Sequence, residues 1–413
     1  MEAPQNISSG LVVRTAREDD LERLVTIHSD AFPDARGREA RRRNFVDNPR
    51  GTLDDLFVAE ADGALLGHAF LFSMASWMGG REVAMSGMAS VAVAPEARGQ
   101  GVATALVRRL VAETRHRGQV ACLLYPFRHA FYRRLGWGLV SEVRRLRLAP
   151  SSFPAYPDDA RPRAARPEDL AALRRCYQRV ASRGNGLLAR SDRLWRTFLG
   201  TEGRHLFVVG AHGHEVSGYV MIACTAPNGG PAELDVVELV ADDDHARRTL
   251  YGFLRAQRDQ IATVRYLVAA RDPLLAVLDE PRTPQGETVR TLVAVAGEWG
   301  AAHMARVVDV GGAVSARGYA ADGQITLRVT EPLVPQGRVA GTLLVRSGTG
   351  SFGPERGGPI LACDIGTFTQ IWSGYLKPTD AVHLGVAAVD APRTAALADA
   401  LFALPSPHTL DYF

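Results

Sequence analysis

The segment Val91-Ala92-Val93-Ala94-Pro95-Glu96-Ala97-Arg98-Gly99-Gln100-Gly101-Val102-Ala103 constrains this chain more than any other. An apolar run of strand type meets a proline, then a turn of the form Arg-x-x-Gly-x-Ala, then an amphipathic helix predicted from Val102 to Thr114. Gly99 and Gly101 remove side chains where a ligand would approach the backbone. The helix start offers unpaired N–H groups and a positive dipole end to an anion. The segment is suited to hold a pyrophosphate with main-chain amides; taken alone, it is equally readable as an ordinary glycine-bearing turn before a helix.

Spacing narrows the nucleotide classes. A P-loop requires Lys and then Ser or Thr after its second glycine, where this turn has Val102 and Ala103. A dinucleotide fingerprint requires a third glycine that is missing here. Downstream, Val120-Ala121-Cys122-Leu123-Leu124-Tyr125 reads as a buried strand, followed by Phe131-Tyr132-Arg133-Arg134-Leu135-Gly136-Trp137. The two motifs in this order resemble the GCN5-related N-acetyltransferases (GNAT). In that family the Arg-x-x-Gly-x-Ala loop holds coenzyme A, and the tyrosine of Phe-Tyr-x-x-x-Gly-aromatic acts as general acid near the thioester sulfur. The chemistry suits a phenol: with a pKa near ~10 it stays protonated at neutral pH and can donate to a departing thiolate.

The 413 residues are enough for two or three domains, and a hydrophobic content of 46% is ordinary for a chain with real cores. A net charge of +3 gives no argument for nucleic acid. Lys377 is the only lysine among 48 basic residues, a bias of composition rather than a binding signature. The densest basic run, Arg41-Arg42-Arg43, reads as a solvated helix face. Cys122, Cys176, Cys224 and Cys363 are far apart and lack Cys-x-x-Cys spacing, which argues against a zinc module or a disulfide scaffold. The histidines have no metal spacing, and no metal is expected. No signal peptide is visible, and no apolar run approaches the roughly 18 residues of a membrane helix. A cytoplasmic protein with no membrane or nucleic-acid partner is expected.

Residues 11–14 read as a strand, and Asp19-Asp20-Leu21 opens a helix through Ala31. Strands near 56–61 and 65–76, joined at Ala61-Asp62-Gly63, and a further one over 81–94 precede the glycine turn. Pro150, Pro154 and Pro157 mark a linker. Arg14-Thr15-Ala16-Arg17-Glu18-Asp19-Asp20-Leu21 is then echoed by Arg163-Ala164-Ala165-Arg166-Pro167-Glu168-Asp169-Leu170, an offset of 149 from Arg14 to Arg163. The offset carries Val91 to Val240, Gly99 to Arg248 and Gly101 to Leu250. It predicts a duplicated domain whose coenzyme loop is blocked by side chains. Beyond 300, Val307–Val310, Gln324–Thr330 and Gly341–Val345 read as strands, and Thr367–Tyr375 and Pro392–Phe402 as helices. This texture predicts an α+β domain with a curved sheet.

Two acetyltransferase-like domains, a third α+β domain and a terminal phenylalanine together resemble the enhanced intracellular survival (Eis) family of bacterial N-acetyltransferases. The resemblance implies an α/β (α+β) chain: a catalytic GNAT domain over 1–152, a degenerate GNAT-like domain lacking the coenzyme loop over 160–297, and a domain like sterol carrier protein 2 (SCP2) over 298–413. It implies acetyl-CoA as co-substrate, a small-molecule amine as acceptor, and a homohexamer built as a dimer of trimers. By residue, it implies that Val91 and Val93 lie along the pantetheine arm. Arg98, Gly99, Gly101, Val102 and Ala103 would hold the pyrophosphate, and Tyr132 would be the general acid. The α-carboxylate of Phe413 would accept the amine's proton, and Phe32 and Asp34 would line the acceptor pocket. An α-carboxylate, with a pKa near ~3.5 in water, gains basicity when partly desolvated. The tail Pro407-His408-Thr409-Leu410-Asp411-Tyr412-Phe413 departs from the Cys-Gly-Thr-rich tail of many members, and residues 32–45 are arginine-rich for a surface receiving polyamines.

The expected activity is acetylation of primary amines, aminoglycoside-like antibiotics among them, with antibiotic resistance as one outcome. A biosynthetic or self-resistance acyltransferase for a specialised metabolite, and a protein lysine acetyltransferase, use the same chemistry. A lipid-binding protein acting through the SCP2-like domain is the reading from another class.

Overall fold

The computed structural model of the chain describes residues 10–33, 37–156, 161–211, 215–226, 229–284, 288–289, 293–333, 336–409 and 411–413. The described residues fall into two compact units: one runs to Val140 and includes His303–Leu404 and Asp411–Phe413, and the other comprises Ser141–Ala302 and the 405–410 stretch.

The first unit begins with β1 (Val12–Thr15), α1 (Leu21–Ala31), α2 (Arg38–Val46), β2 (Leu56–Ala61), β3 (Ala64–Met78), β4 (Arg81–Val93), α3 (Val102–His116), β5 (Ala121–Leu124), α4 (His129–Arg133) and β6 (Gly138–Leu139). The long β3–β4 hairpin turns at Gly79 and Gly80, both at positive φ (60° and 81°). Such a two-residue turn matches the strand twist and needs residues that tolerate φ > 0. Near its far end the hairpin slips register: Phe70 faces Ala89, but His68 faces Ala92. Ser90, at φ +52°, absorbs the extra residue as a bulge. In α3 the buried Val102, Leu106, Leu110 and Val111 recur at helical spacing, forming the stripe that covers the sheet.

The second unit contains β7 (Glu142–Leu148), β8 (Arg163–Ala164), α5 (Leu170–Arg183), β9 (Asn185–Leu188), α6 (Asp192–Leu199), β10 (Arg204–Val209), β11 (Gly218–Thr225), β12 (Glu233–Ala241), α7 (Asp244–Ala256), β13 (Thr263–Ala269), β14 (Thr288–Val289), β15 (Val293–Ala294) and β16 (Gly297–Ala301). Its seven-stranded sheet runs β16-β7-β13-β12-β11-β10-β8, with β12 and β13 parallel. The echoed octapeptides fold alike. Arg14 grips Asp20 through Nη1 at 2.7 Å while Arg17 N donates to the same carboxylate at 2.7 Å. In the echo, Arg163 Nη1 grips Asp169 at 2.7 Å and Arg166 N donates to it at 2.8 Å.

The offset of 149 does not persist to the loop. α7 starts at Asp244, so Arg248 and Leu250 lie inside the helix rather than in the turn before it. The eight-residue connection 94–101 of the first repeat is replaced by Asp242 and Asp243 alone. Loss of the coenzyme turn is therefore a shortening, not a blockage by side chains.

The chain then returns to the first unit with β17 (Met304–Val307), α8 (Val310–Ala316), β18 (Gly323–Thr330), β19 (Arg338–Arg346), β20 (Thr349–Gly353), β21 (Ile360–Asp364), α9 (Ile365–Trp372), α10 (Pro378–His383), β22 (Ala387–Val389) and α11 (Pro392–Phe402). The strand expected over Val307–Val310 ends at Val307, because Asp309 caps α8 by accepting from Gly312 N at 3.0 Å. A five-stranded sheet, β20-β19-β18-β21-β22, packs on α9 and α11 through Ile325, Leu327, Leu343, Phe368, Trp372 and Phe402. β17 belongs instead to the first sheet, β1-β2-β3-β4-β5-β17-β6. Two strands thus sit across the boundaries drawn from sequence at 152 and 298: β7 is in the second sheet, and β17 in the first.

Candidate active site

β4 and β5 pair in parallel only from Met85–Gly87 to Ala121–Leu123. Past Gly87 β4 has no pairing with β5, so its bulged end, with Val91 and Val93, is an open edge on that side among the described residues. The chain then turns through Arg98, Gly99 and Gly101 into α3. Gly99 has φ +78°, and a Cβ there would meet nothing within 4 Å. Gly101 is the N-cap of α3 at φ +82°, ψ 3°, with no side-chain cap. The first intrahelical bond is Ala105 N to Gly101 O at 3.0 Å. The N–H groups of Val102 and Ala103 therefore lie in the turn where helix amides have no partner within the helix. Arg98 borders the turn, its Nη2 donating to Asp30 O at 3.3 Å. The equivalent helix start in the second unit is closed chemically: Asp243 accepts from Ala246 N at 2.7 Å, so a carboxylate already sits where an anion would bind.

Tyr132, on α4, is 1% exposed and shares a buried cluster with Met88, Val107, Leu110, Cys122 and Leu124. Phe131, Phe127 and Trp137 flank its ring at 5.0, 5.3 and 5.8 Å between centroids. Burial, and secondarily Cys122, pushes the Tyr132 phenol above its ordinary 10.0. The Cys122 thiol is itself pushed up to about 12, chiefly by burial. Both groups are protonated at neutral pH.

Phe413 packs against the cluster of Phe70, Phe72 and Ala89, and beside Leu123, Val140 and Ala305. Its ring abuts Gly87, where a Cβ would come within 3.0 Å of Phe413 Cδ2. The Tyr125 ring is 5.8 Å away and the His303 ring 6.2 Å. Arg50 gathers the tail: Nη2 donates to Tyr412 O at 2.8 Å, lies 3.7 Å from Asp411 Oδ1, and the guanidinium sits 5.8 Å from the Phe413 centroid. Burial, then Asp411, pushes the Tyr125 phenol above its usual value.

Side chains alternate along a strand. Cys122 and Leu124 face the α3 side with Tyr132, whereas Leu123 faces the α1–α2 side with Phe413. Tyr132 and Phe413 thus border the open end of the β4–β5 pair from opposite faces of the sheet.

Phe32 ends α1 and packs with Ala92, Ala94 and Val102, below the glycine turn. Its ring is 4.8 Å from His28, which stacks on His68 at 5.5 Å. Arg41, in the run read as a solvated face, is buried instead and donates to Phe32 O at 2.9 Å. Asp34 lies outside the described residues. Arg50, Tyr125 and His303 went unnoticed in the sequence: each is a lone residue of common type, and only the returning tail brings them together.

Among the described residues no group of three His, Cys, Asp or Glu side chains could hold a metal, and no helix is long and apolar enough to cross a membrane.

Residues 12–140 match an acetyltransferase (GNAT) domain family, residues 186–307 a second acetyltransferase (GNAT) domain family, and residues 310–410 a sterol carrier protein domain family. The chain is 30% identical over 275 residues to an uncharacterized N-acetyltransferase of Streptomyces coelicolor, covering 62% of this chain and 63% of that protein. The chain thus spans just under two thirds of that relative's length. It superposes on a GCN5-related N-acetyltransferase from Anabaena variabilis with a TM-score of 0.86 at 22% identity, covering 98% of this chain and 100% of the other. With Eis1 from Mycobacterium abscessus the TM-score is 0.77 at 23% identity, covering 98% and 100%. At these identities the superpositions speak for the fold alone. The chain is therefore built from two GNAT acetyltransferase domains followed by a sterol carrier protein domain.

Proposed function

We propose that the chain is an acetyl-CoA-dependent N-acetyltransferase that modifies primary amines by direct attack. The observation that carries the reading is the uncapped start of α3 behind Gly99 and Gly101, at the open end of the β4–β5 pair. In this reading Val91 and Val93 follow the pantetheine arm, and Arg98, Gly99, Gly101, Val102 and Ala103 receive the pyrophosphate. Phe32 and Asp34 line the acceptor's path. The substrate ammonium gives one proton to the α-carboxylate of Phe413, directly or through water. The freed nitrogen forms a bond to the thioester carbonyl carbon and gives its second proton to solvent, the C–S bond breaks, and Tyr132 gives its proton to the departing sulfur. The products are the amide and the free thiol of coenzyme A; solvent returns a proton to Tyr132 and takes one from the carboxylate.

The Eis resemblance supports amine-rich acceptors such as aminoglycoside-like antibiotics, and a hexameric assembly. A specialised-metabolite acyltransferase and a protein lysine acetyltransferase would share every step. A lipid carrier is not favoured. The inner face of the β18–β22 sheet is already filled by Ile325, Leu327, Phe368 and Trp372.

Thiol release from acetyl-CoA across a panel of aminoglycosides, polyamines, amine metabolites and lysine peptides tests donor and acceptor together. Tyr132→Phe and deletion of Phe413 should each lower kcat by roughly 10²–10³ while leaving the fold intact. Because burial holds Tyr132 above 10.0, the wild-type kcat should show no Tyr132-dependent loss below that pH. Wild-type rates in both variants would make the mechanism wrong.

A further inference from the structure

β17 completes the first sheet from far along the chain. Arg306 stands opposite Cys122 on β5, and Met304 bridges Leu124 on β5 and Leu139 on β6. The Arg306 side chain is 0% exposed. A guanidinium so placed needs its N–H groups satisfied and its charge matched. Nε donates to Leu135 O at 2.9 Å, Nη1 to Val307 O at 3.2 Å, and Nη2 to the two oxygens of Glu331 at 2.7 and 2.8 Å. Glu331, 2% exposed, is steadied in turn by Leu333 N at 2.8 Å.

Leu135 belongs to the turn that ends α4. Leu135 N and Trp137 N both donate to Tyr132 O, at 2.9 and 3.2 Å. Between them Gly136 sits at φ +82°, where a Cβ would lie 3.1 Å from Arg306 Nε and 2.7 Å from Ile365 Cγ2. The glycine of the Phe-Tyr-x-x-x-Gly-aromatic motif is thus the place where the guanidinium reaches the turn. A hydrophobic pair of similar volume would fill this interior as well or better. It could not anchor the Leu135 carbonyl.

We propose that Arg306 and Glu331 are positioning residues that fix the orientation of α4, and through it the Tyr132 hydroxyl, for proton delivery to the departing thiolate. The inference rests on Tyr132 acting as the general acid. Arg306 does not touch reacting atoms; it acts through the Leu135 carbonyl, so a strand from beyond residue 300 takes part in the chemistry of the first domain.

The test uses the full chain carrying Arg306→Lys, or Arg306→Met with Glu331→Met, each in wild-type and Tyr132→Phe backgrounds. Lysine keeps the charge facing Glu331 but lacks the planar fork that serves two acceptors at once. The double methionine variant removes both charges and keeps the interior filled. Tm, kcat and KM for acetyl-CoA are read by melting and by thiol release. Both variants should lower kcat about tenfold or more, as small misplacements of a catalytic group do, with KM for acetyl-CoA held within about twofold. In the Tyr132→Phe background they should lower kcat no further. Wild-type kcat in either variant, an equal added loss without the Tyr132 hydroxyl, or full recovery of kcat on cooling to restore the folded fraction each overturns the proposal. If Tyr132→Phe alone keeps wild-type kcat, the general-acid reading falls first and this inference with it.

Discussion

Arg50 offers the sharpest handle on whether the tail takes part in the reaction. Its guanidinium makes a charged hydrogen bond to Tyr412 O at 2.8 Å, an ion contact to Asp411 at 3.7 Å and a ring contact with Phe413 at 5.8 Å. The Arg50 and Asp411 side chains are only 12% and 9% exposed, so water screens the pair weakly. A hydrogen bond from a charged donor contributes about 1.5–3 kcal/mol and a cation–ring contact about 0.5–1. These terms are not additive, and about 2 kcal/mol is a fair figure for Arg50→Ala, since the Phe413 ring keeps its own apolar contacts. At ~1.4 kcal/mol per tenfold, the docked-to-released ratio of the tail should fall roughly 30-fold. If Phe413 is the base, kcat/KM for the amine falls by up to that factor while KM for acetyl-CoA stays put. Carboxypeptidase digestion of the same samples reports tail release independently. A variant whose tail is digested readily, yet which acetylates at the wild-type rate, would refute a catalytic role for the carboxylate.

Two further outcomes are expected. Gly99→Ala places a methyl group in open space, so its stability cost is limited to the left-handed backbone, about 1–2 kcal/mol; KM for acetyl-CoA should nonetheless rise tenfold or more, and an unchanged KM would move the pyrophosphate elsewhere. His68 is fully buried, neither ring nitrogen has a hydrogen-bond partner, and burial holds its pKa down to about 3 from 6.5. Between those values the unfolded chain binds the extra proton, so this contribution to stability is intact above pH 6.5 and is lost as pH falls. The stability difference between wild type and His68→Leu in urea should shift by about 1.4 kcal/mol per pH unit below 6.5, and parallel curves would rule the linkage out.

Much of the first domain was legible because its demands are narrow. Few residues other than glycine accept the conformations at Gly63, Gly99 and Gly101, so those turns announce themselves. The echoed octapeptide was legible for a similar reason, since the Arg–Asp clamp it builds needs the same residues at the same spacing in both copies. Extending the echo failed at Asp242–Asp243, because a deletion between elements leaves no trace in a fixed offset. Alternation along Met304–Val307 can suggest a strand but not which sheet receives it, so β17 fell to the wrong side of a boundary. Arg50 was invisible because its partner, Tyr412, is 362 residues away. Val91, Val93 and Tyr132 could be named only through the family motif; nothing local in the sequence shows that the β4–β5 ladder stops at Gly87.

The late arrival of β17 has a consequence for synthesis on the ribosome. When Leu139 has emerged, β5 and β6 still lack the strand that joins them, and roughly 165 more residues must be translated before Met304 appears. At ~5–20 residues per second the nascent first domain waits roughly ten to thirty seconds with unpaired strand edges exposed. A truncated gene ending near residue 152 would make that wait permanent.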